Sequence, residues 1–325
     1  MALTDQIPVS SGFHAKSTAA EVTLDIDLSG KTAIVTGGYS GIGLETVRAL
    51  AAKGAAIIVP VRSPEKAADT LAGLAGDVTT APMDLADLAS VRRFGEAMCD
   101  QLGQLDMLIN NAGIMACPET RVGPGWEAQF GVNHMGHFAL TQTLMPLLQA
   151  SPDARVVALS STAHKMGGML WDDIQFENTA YDKWRAYGQA KSANALFANA
   201  LARRLKPTGG HAFSVHPGGI FTPLQRHLPK EEMIAMGWLG EDGEPSELAK
   251  AGFKSPEQGA STTLWAATSA ALDGKAGVYC EDCDIAAPTD PQSPMARYFG
   301  VEPHACDDAD AERLWEVSDD LLKAA

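Results

Sequence analysis

The chain has 325 residues, 46% of them hydrophobic and 20% charged, which is the composition of an ordinary globular protein. Its formal net charge of −15 repels nucleic acids and anionic membranes, so neither is an expected partner. Residues 1–28 show no secretory signal, and no run approaches the ~20 apolar residues that cross a bilayer. With five cysteines, an odd number, the sequence predicts a cytoplasmic protein without a disulfide scaffold.

Apolar runs alternate with helix-periodic segments along most of the chain. The runs predict strands at 31–36, 55–61, 78–83, 105–109, 155–159, 211–215 and 277–279. The segments with helical periodicity predict helices at 41–53, 87–102, 126–148, 184–205 and 256–269. This alternation predicts an α/β fold: a doubly wound parallel sheet of seven strands with helices on both faces, in a single domain.

Three segments lie outside this alternation. Residues 1–28 are predicted to be an N-terminal extension before a catalytic domain at 29–290. Residues 223–253 are rich in Pro, Met, Gly and acids and follow a strand, which is the position of a substrate lid. Residues 291–325 form a C-terminal extension with one amphipathic helix, whose apolar positions are Ala311, Leu314, Trp315, Val317 and Leu321.

A glycine-rich loop, Thr36-Gly-Gly-Tyr-Ser-Gly-Ile-Gly43, follows the first predicted strand and leads into the first helix. Glycines let the backbone turn tightly and approach a pyrophosphate, and the helix N-terminus offers unpaired amides. The alternative is a simple glycine turn. The loop predicts a dinucleotide site that includes Gly37, Tyr39, Ser40, Gly41, Ile42 and Gly43.

Further candidate cofactor residues follow other strands, because open α/β sheets bind ligands at the carboxyl ends of their strands. They are Asp84 and Leu85 after the third strand, Asn111, Ala112 and Gly113 after the fourth, and Pro217, Gly218, Ile220 and Thr222 after the sixth. The second strand ends without an acid, and Arg62 stands there instead. An arginine can bind a 2′-phosphate, so NADP(H) is favoured and NAD(H) remains possible, unless Arg62 is only a surface residue.

Tyr187 and Lys191 are four residues apart on a predicted helix, so their side chains share one face. A nearby ammonium favours the phenolate, and such a tyrosine can exchange protons near neutral pH. Ser161 ends the fifth strand, where its hydroxyl could bind a substrate oxygen. Asn133 lies in the predicted helix 126–148 and could be functional or merely face solvent.

These motifs, in this order and spacing over about residues 29–285, resemble the short-chain dehydrogenase/reductase family, a Rossmann-type fold. The chain is most similar to its branch of retinol dehydrogenases, the WW-domain oxidoreductase and protochlorophyllide reductase. The resemblance implies an oxidoreductase that interconverts an alcohol and a carbonyl. Tyr187 would be the general acid/base and Lys191 would hold the nicotinamide ribose. Ser161 would orient the substrate oxygen, and Asn133 a proton-relaying water.

Alternatives within this resemblance are a carbon–carbon double-bond reductase, an isomerase or dehydratase, and a non-catalytic NADP(H) sensor. The expected partner is a small molecule, and apolar residues suggest that it is lipophilic: Met115, Met166, Met169, Trp171, Trp184 and Trp238. Cys280 and Cys283 have zinc-ligand spacing, with His304 and Cys306 further on, but we expect buried thiols and no metal. The resemblance implies a homo-oligomer in which helices 126–148 and 184–205 pair, and the small alanines of the latter would permit close approach. The alternative is a monomer in which the N- and C-terminal extensions cover that surface.

Overall fold

The computed structural model describes residues 3–275 and 277–325, and one eight-stranded sheet forms the centre of that part of the chain. A separate two-stranded ribbon consists of β5 and β6. In chain order the strands are β1 Thr32–Val35, β2 Ala56–Val61, β3 Val78–Pro82, β4 Met107–Asn110, β5 Arg121–Val122, β6 Trp126–Glu127, β7 Arg155–Leu159, β8 His211–His216, β9 Tyr279–Glu281 and β10 Asp284–Ile285.

Across the sheet the order is β10-β9-β8-β7-β4-β1-β2-β3. Every neighbouring pair is parallel except β9 and β10, which are antiparallel. The order reverses at β1, which has β4 on one side and β2 on the other. Such a reversal opens a crevice at the carboxyl ends of the strands, and this is where an open α/β sheet binds its ligand.

Helices cover both faces of the sheet, as the alternation predicted. Their bounds are α1 Ala19–Val22, α2 Gly41–Ala52, α3 Pro64–Leu71, α4 Leu88–Gln101, α5 Ala128–Phe130, α6 Gly136–Ala150, α7 Lys183–Leu205, α8 Lys230–Ala235, α9 Glu247–Gly252, α10 Pro256–Thr268 and α11 Asp308–Lys323. The α4, α6 and α7 helices pack on one face, with Phe130, Phe138 and Leu144 fully buried. The α1, α2 and α10 helices pack on the other face, around Val47, Leu50 and Trp265.

The prediction of one helix over 126–148 is wrong at its start. Trp126 and Glu127 belong to the β5–β6 ribbon, in which Trp126 pairs with Val122. The Glu127 carboxylate then accepts the amides of Gln129 and Phe130, so the helix begins only at residue 128. Residues Gly131–Met135 form a π-helical turn before α6. Such turns are frequently found at functional sites.

The other differences concern short elements. The last predicted strand, 277–279, lies instead at Tyr279–Glu281, because Gly277 adopts a left-handed conformation with φ of 78°. The elements that were not predicted are all short: α1, α3, α8, α9, β5, β6 and β10. The sheet therefore has eight strands in place of the predicted seven, the eighth being the antiparallel edge strand β10.

Both extensions pack on this body. Ala19 and Val22 of α1 are buried on the α2–α10 face, and α11 packs along α7 with Ala311 and Leu314 fully buried. The predicted boundaries at 28/29 and 290/291 stay predictions. No helix within the described ranges is long and apolar enough to cross a membrane.

Candidate active site

A cavity of about 1420 Å³ opens at the carboxyl ends of the parallel strands. It exceeds the roughly 300–1,000 Å³ of a typical small-molecule pocket, so it has room for a cofactor together with a substrate. All the predicted cofactor residues line it: Gly37, Tyr39, Ser40, Gly41, Ile42, Gly43, Arg62, Asp84, Leu85, Asn111, Ala112, Gly113, Tyr187, Lys191, Pro217, Gly218, Ile220 and Thr222. Of the predicted catalytic residues, Ser161, Tyr187 and Lys191 line it as well.

The glycine loop exposes its backbone to the cavity, because its glycines have no side chains in between. Gly37 has φ of 65°, and a Cβ on Gly43 would lie 2.4 Å from the Gly37 carbonyl oxygen, so no larger residue fits there. Ser40 is the N-cap of α2, yet its side chain caps no amide. The first amides of the helix are thus free for an anion, which fits the pyrophosphate of a dinucleotide.

The Thr36 hydroxyl, which the sequence analysis did not single out, organises the loop after β4. It accepts the backbone N–H groups of Asn111 and Ala112, at 2.9 and 3.0 Å. His137 Nε2 lies 2.9 Å from the same hydroxyl, and His137 Nδ1 donates to the Asn133 carbonyl. Burial lowers the pKa of His137 to about 4, so the ring is neutral and its Nε2 accepts the Thr36 proton. The residues of this network are distant in sequence, so no local pattern shows it.

Asn133 lies in the π-helical turn and is completely buried. Both ends of its amide are hydrogen-bonded: Oδ1 accepts from Ile114 N at 2.8 Å, and Nδ2 donates to Ile114 O at 2.9 Å. A Cβ on Gly113 would lie 3.1 Å from Oδ1 and 3.9 Å from Lys191 Nζ. The side chain therefore holds the loop after β4 beside Lys191, and it does not line the cavity.

Ser161, Tyr187 and Lys191 meet on one wall of the cavity. Tyr187 and Lys191 are one turn apart on α7, and Lys191 Nζ lies 5.5 Å from the centroid of the Tyr187 ring. The ammonium donates to the Leu159 carbonyl at 2.8 Å, which ties α7 to the end of β7. Ser161 begins the next turn, where its hydroxyl accepts the Ala163 amide at 3.1 Å.

Burial controls the electrostatics of this triad. It raises the pKa of Tyr187 above the ordinary value, and a hydrogen bond with Ser161 opposes that rise. Burial also lowers the pKa of Lys191 to about 8, so its side chain is mostly charged at neutral pH. The sequence analysis expected the ammonium to favour the phenolate; with both groups buried, the phenol keeps its proton and is in the state of an acid.

The end of the cavity beside β2 and β3 carries Arg62 and Asp84. Arg62 follows β2 directly and is exposed. Among the described residues, no carboxylate forms an ion pair with it. Asp84 follows β3, where Oδ1 accepts the Ala86 amide and the Asp84 amide donates to Ser90. A free guanidinium at the end of β2 fits a phosphate group better than a ribose diol.

Apolar side chains dominate the opposite end. Met115, Met166, Trp184 and Trp238 line the cavity, as the lipophilic interpretation expected. That interpretation is wrong for Met169 and Trp171, which pack against the core below α6 and α7. The segment predicted to be a lid, 223–253, contains α8 and α9 and contributes Leu224, Met236, Leu248 and Phe253 to the cavity.

Lys254, which the sequence analysis missed, packs beneath the turn after β8. Its side chain is only 4% exposed, and Nζ bonds to Asp282 at 2.7 Å. Gly218 has φ of 102°, and a Cβ there would lie 2.7 Å from Lys254 Cε. The lysine therefore supports the Pro217-Gly218 turn. The partners are 28 and 36 positions away from Lys254, so the sequence gives no local signal.

Cys306 lies apart from Cys280 and Cys283. Cys280 and Cys283 are buried with the α2–α10 face, and Cys283 Sγ lies 3.2 Å from Ser261 Oγ. Cys306 belongs to a different cluster, beside Ala195 and Tyr279. Within residues 3–275 and 277–325, no three His, Cys, Asp or Glu side chains are grouped to hold a metal ion.

Together, the doubly wound sheet, the glycine loop and the Ser–Tyr–Lys wall define a dinucleotide-binding oxidoreductase. Comparison of the sequence with models of known protein families shows to which family of oxidoreductases the chain belongs. The family model described as short chain dehydrogenase matches residues 31–233, more than half of the chain. The chain belongs to the short-chain dehydrogenase/reductase family.

Known proteins are similar to this chain in sequence and structure over most of its length. A "Probable oxidoreductase" of Streptomyces antibioticus is 43% identical over 306 residues, covering 92% of this chain and 100% of that protein. Human "Retinol dehydrogenase 12" is 36% identical, covering 92% and 88%. A solved structure of an uncharacterised protein from Mycobacterium paratuberculosis is 34% identical with a TM-score of 0.71, covering 95% and 98%. The RhlG/NADP active-site complex of Pseudomonas aeruginosa is 27% identical with a TM-score of 0.60, covering 78% and 95%.

Proposed function

We propose that this protein is an NADP(H)-preferring enzyme that interconverts an alcohol and a carbonyl on a lipophilic small molecule. The observation that carries the proposal is the arrangement of Ser161, Tyr187 and Lys191 on one wall of the cavity. A nicotinamide bound there supplies or accepts the hydride. The uncapped helix N-terminus and the exposed Arg62 support a phosphorylated dinucleotide, and the complex of a relative with NADP is consistent with it.

In reduction, the Tyr187 hydroxyl donates its proton to the carbonyl oxygen, and in oxidation it accepts the alcohol proton. Its raised pKa suits the first direction, because the phenol holds its proton at neutral pH. Ser161 steadies the phenol and can donate its own hydroxyl proton to the substrate oxygen. Lys191 is placed to hold ribose hydroxyls, and its charge favours the phenolate once the proton has left. The apolar wall excludes water and orients the substrate.

Tyr187→Phe tests the proposal. The variant keeps the ring and loses the phenol proton, so turnover of aldehydes or ketones should fall by about 10²-fold or more. The Kd for NADPH should stay within about twofold of the parent, since the phenol is not part of the phosphate site. Nicotinamide absorbance measures turnover, and fluorescence titration measures Kd.

The matched control is Tyr181→Phe. Tyr181 loses an equivalent hydroxyl, bonded to the Cys117 carbonyl outside the cavity, and turnover should persist. If Tyr187→Phe retained activity within about threefold of the parent, the general-acid assignment would be wrong. Ser161→Ala should also lose about 10²-fold, because one stabilising donor is removed.

A further inference from the structure

Most of the exposed large apolar side chains in the described part of the chain line the cavity. Among the described residues, eight large hydrophobic side chains are exposed, and three of them, Ile7, Phe13 and Leu24, lie elsewhere. The other five line the cavity; we call them the apolar rim: Met166, Leu248, Met295, Tyr298 and Phe299. Scattered exposed hydrophobics are normal on a protein surface, but a cluster around a cavity marks a binding surface.

Three segments distant in sequence build this rim. Met166 ends the turn that begins at the catalytic Ser161, and Leu248 lies on α9 of the lid. Met295, Tyr298 and Phe299 come from the C-terminal extension. Each of the three is 43–46% exposed. The extension is thus a wall of the substrate end, a role that its sequence did not indicate.

The rim segment of the extension is anchored at both ends. Lys165, next to Met166, bonds to Thr289 and pairs with Glu302 at 3.2 Å. The Gly300 amide donates to Glu281 at 2.8 Å, and Val301 is fully buried. Residues 291–299 are therefore held over the turn that carries Ser161, and their apolar side chains stay exposed in spite of the anchoring.

An aromatic wall runs from Tyr187 along the segment 223–253. Trp184 lies edge-on to Tyr187, with ring centroids 6.4 Å apart, and Trp238 lies edge-on to Trp184 at 6.4 Å. Phe253 follows at 5.7 Å from Trp238. These rings give a ligand whose carbonyl sits at Tyr187 an apolar surface that extends as far as Phe253.

We propose that the apolar rim binds the far end of an elongated apolar substrate, so that residues 291–299 set the chain length that the enzyme prefers. This inference rests on the proposed function. A substrate with a short chain would contact only the Trp184–Trp238 wall. A longer one would also cover Met295 and Phe299, and burying this apolar area strengthens its binding.

The test compares butanal, octanal and dodecanal as substrates with NADPH. For the parent, kcat/KM should rise with chain length. Phe299→Ser and Met295→Ser should lower kcat/KM for dodecanal by about fivefold or more, with the loss shrinking towards butanal, because a missing apolar contact typically costs tenfold or more in a closed pocket. Leu24→Ser is the control: Leu24 is 70% exposed and lies outside the cavity. Equal losses for all three aldehydes, or none, would overturn the proposal.

A binding experiment separates this inference from the proposed function. 1-Dodecanol should change the tryptophan emission of the parent, since Trp184 and Trp238 line the cavity, and should bind Phe299→Ser about fivefold more weakly. If no aldehyde is turned over, the proposed function fails, and this titration still decides the role of the rim. Unchanged dodecanol binding in Phe299→Ser, with loss of binding to phosphatidylcholine vesicles, would show a membrane contact and overturn the proposal.

Discussion

Lys191, a proposed catalytic residue, is expected to oppose stability. Its buried ammonium has a pKa of about 8, well below that of an exposed lysine, so burying the charge costs folding free energy at neutral pH. Removing the ammonium does not leave the Leu159 carbonyl without a hydrogen bond, because Asn194 Nδ2 also donates to it at 2.8 Å. Lys191→Met should therefore abolish turnover and yet raise the free energy of unfolding at pH 7, by up to about 3 kcal/mol.

The pH dependence of the increase in unfolding free energy expected for Lys191→Met identifies the cause of that increase. Below about pH 8 the lysine is charged in both states, so the full cost is present. As pH rises towards the unfolded pKa of about 10.4, the folded state has lost the proton and the unfolded state has not, so the gain should shrink. Denaturant titrations of the parent and Lys191→Met across this range measure it. Exposed Lys206→Met is the control, and a gain independent of pH would exclude charge burial.

At the scale of one side chain, the proposed preference for NADP(H) depends on Arg62. If it binds the 2′-phosphate, Arg62→Ala should raise the Kd for NADPH by about tenfold, the lower end for a charge-assisted hydrogen bond, because the guanidinium is exposed and screened by solvent. The Kd for NADH should change far less. Titration of both cofactors measures this, with Arg93→Ala, an exposed arginine outside the cavity, as control. Equal losses for the two cofactors would make Arg62 a surface residue.

Between elements, Glu232 ties the lid to the catalytic helix. It lies on α8, and its carboxylate accepts Trp184 Nε1 at 2.8 Å and the Lys183 ammonium, both from the start of α7. The hydrogen bond from Lys183 lowers the pKa of Glu232, so the tie is ionic at neutral pH. Glu232→Ala should release the lid from the helix that carries Tyr187.

The expected result is a KM for the carbonyl substrate raised by about fivefold, with the Kd for NADPH unchanged, because a partly exposed charged hydrogen bond contributes about 1 kcal/mol. Steady-state kinetics and cofactor titration provide the two values. Glu231→Ala alters the neighbouring exposed carboxylate and should leave KM as in the parent. A parallel rise in both constants would point to a general loss of structure.

The same comparison of elements shows what the sequence could predict. Strong periodicity identified β1, β2, α2 and α7, and the strand ends located the cofactor residues, because both signals are local. The π-helical turn at Asn133 was missed, since its hydrogen bonds go to Ile114 in another segment. The rim was missed for the same reason: Lys165 meets Glu302 across 137 positions. Apolar residues without a clear period, such as Met169, could not be assigned to cavity or core.

At the scale of the molecule, the C-terminal helix covers the face on which oligomerisation was considered. The alanines of α7 that would allow close pairing are at most 4% exposed in a single chain: Ala186, Ala190, Ala193, Ala195, Ala198, Ala200 and Ala202. Trp315 of α11 lies edge-on to Phe138 at 4.9 Å and stacks on Phe197 at 6.0 Å. Arg204 covers the outer face of the indole at 3.8 Å. Thus α11 covers the surface of α7 that a partner subunit would otherwise contact.

We therefore expect a monomer at micromolar concentration, measured by light scattering. Trp315→Asp should loosen α11, because a carboxylate replaces an indole between two aromatic rings; thermal unfolding should occur at lower temperature, and self-association should appear as the α6 and α7 surfaces become exposed. Glu316→Ala, exposed on the same helix, should change neither property. A parent dimer whose mass is insensitive to Trp315→Asp would mean that the subunits meet on another face and that α11 serves the fold alone.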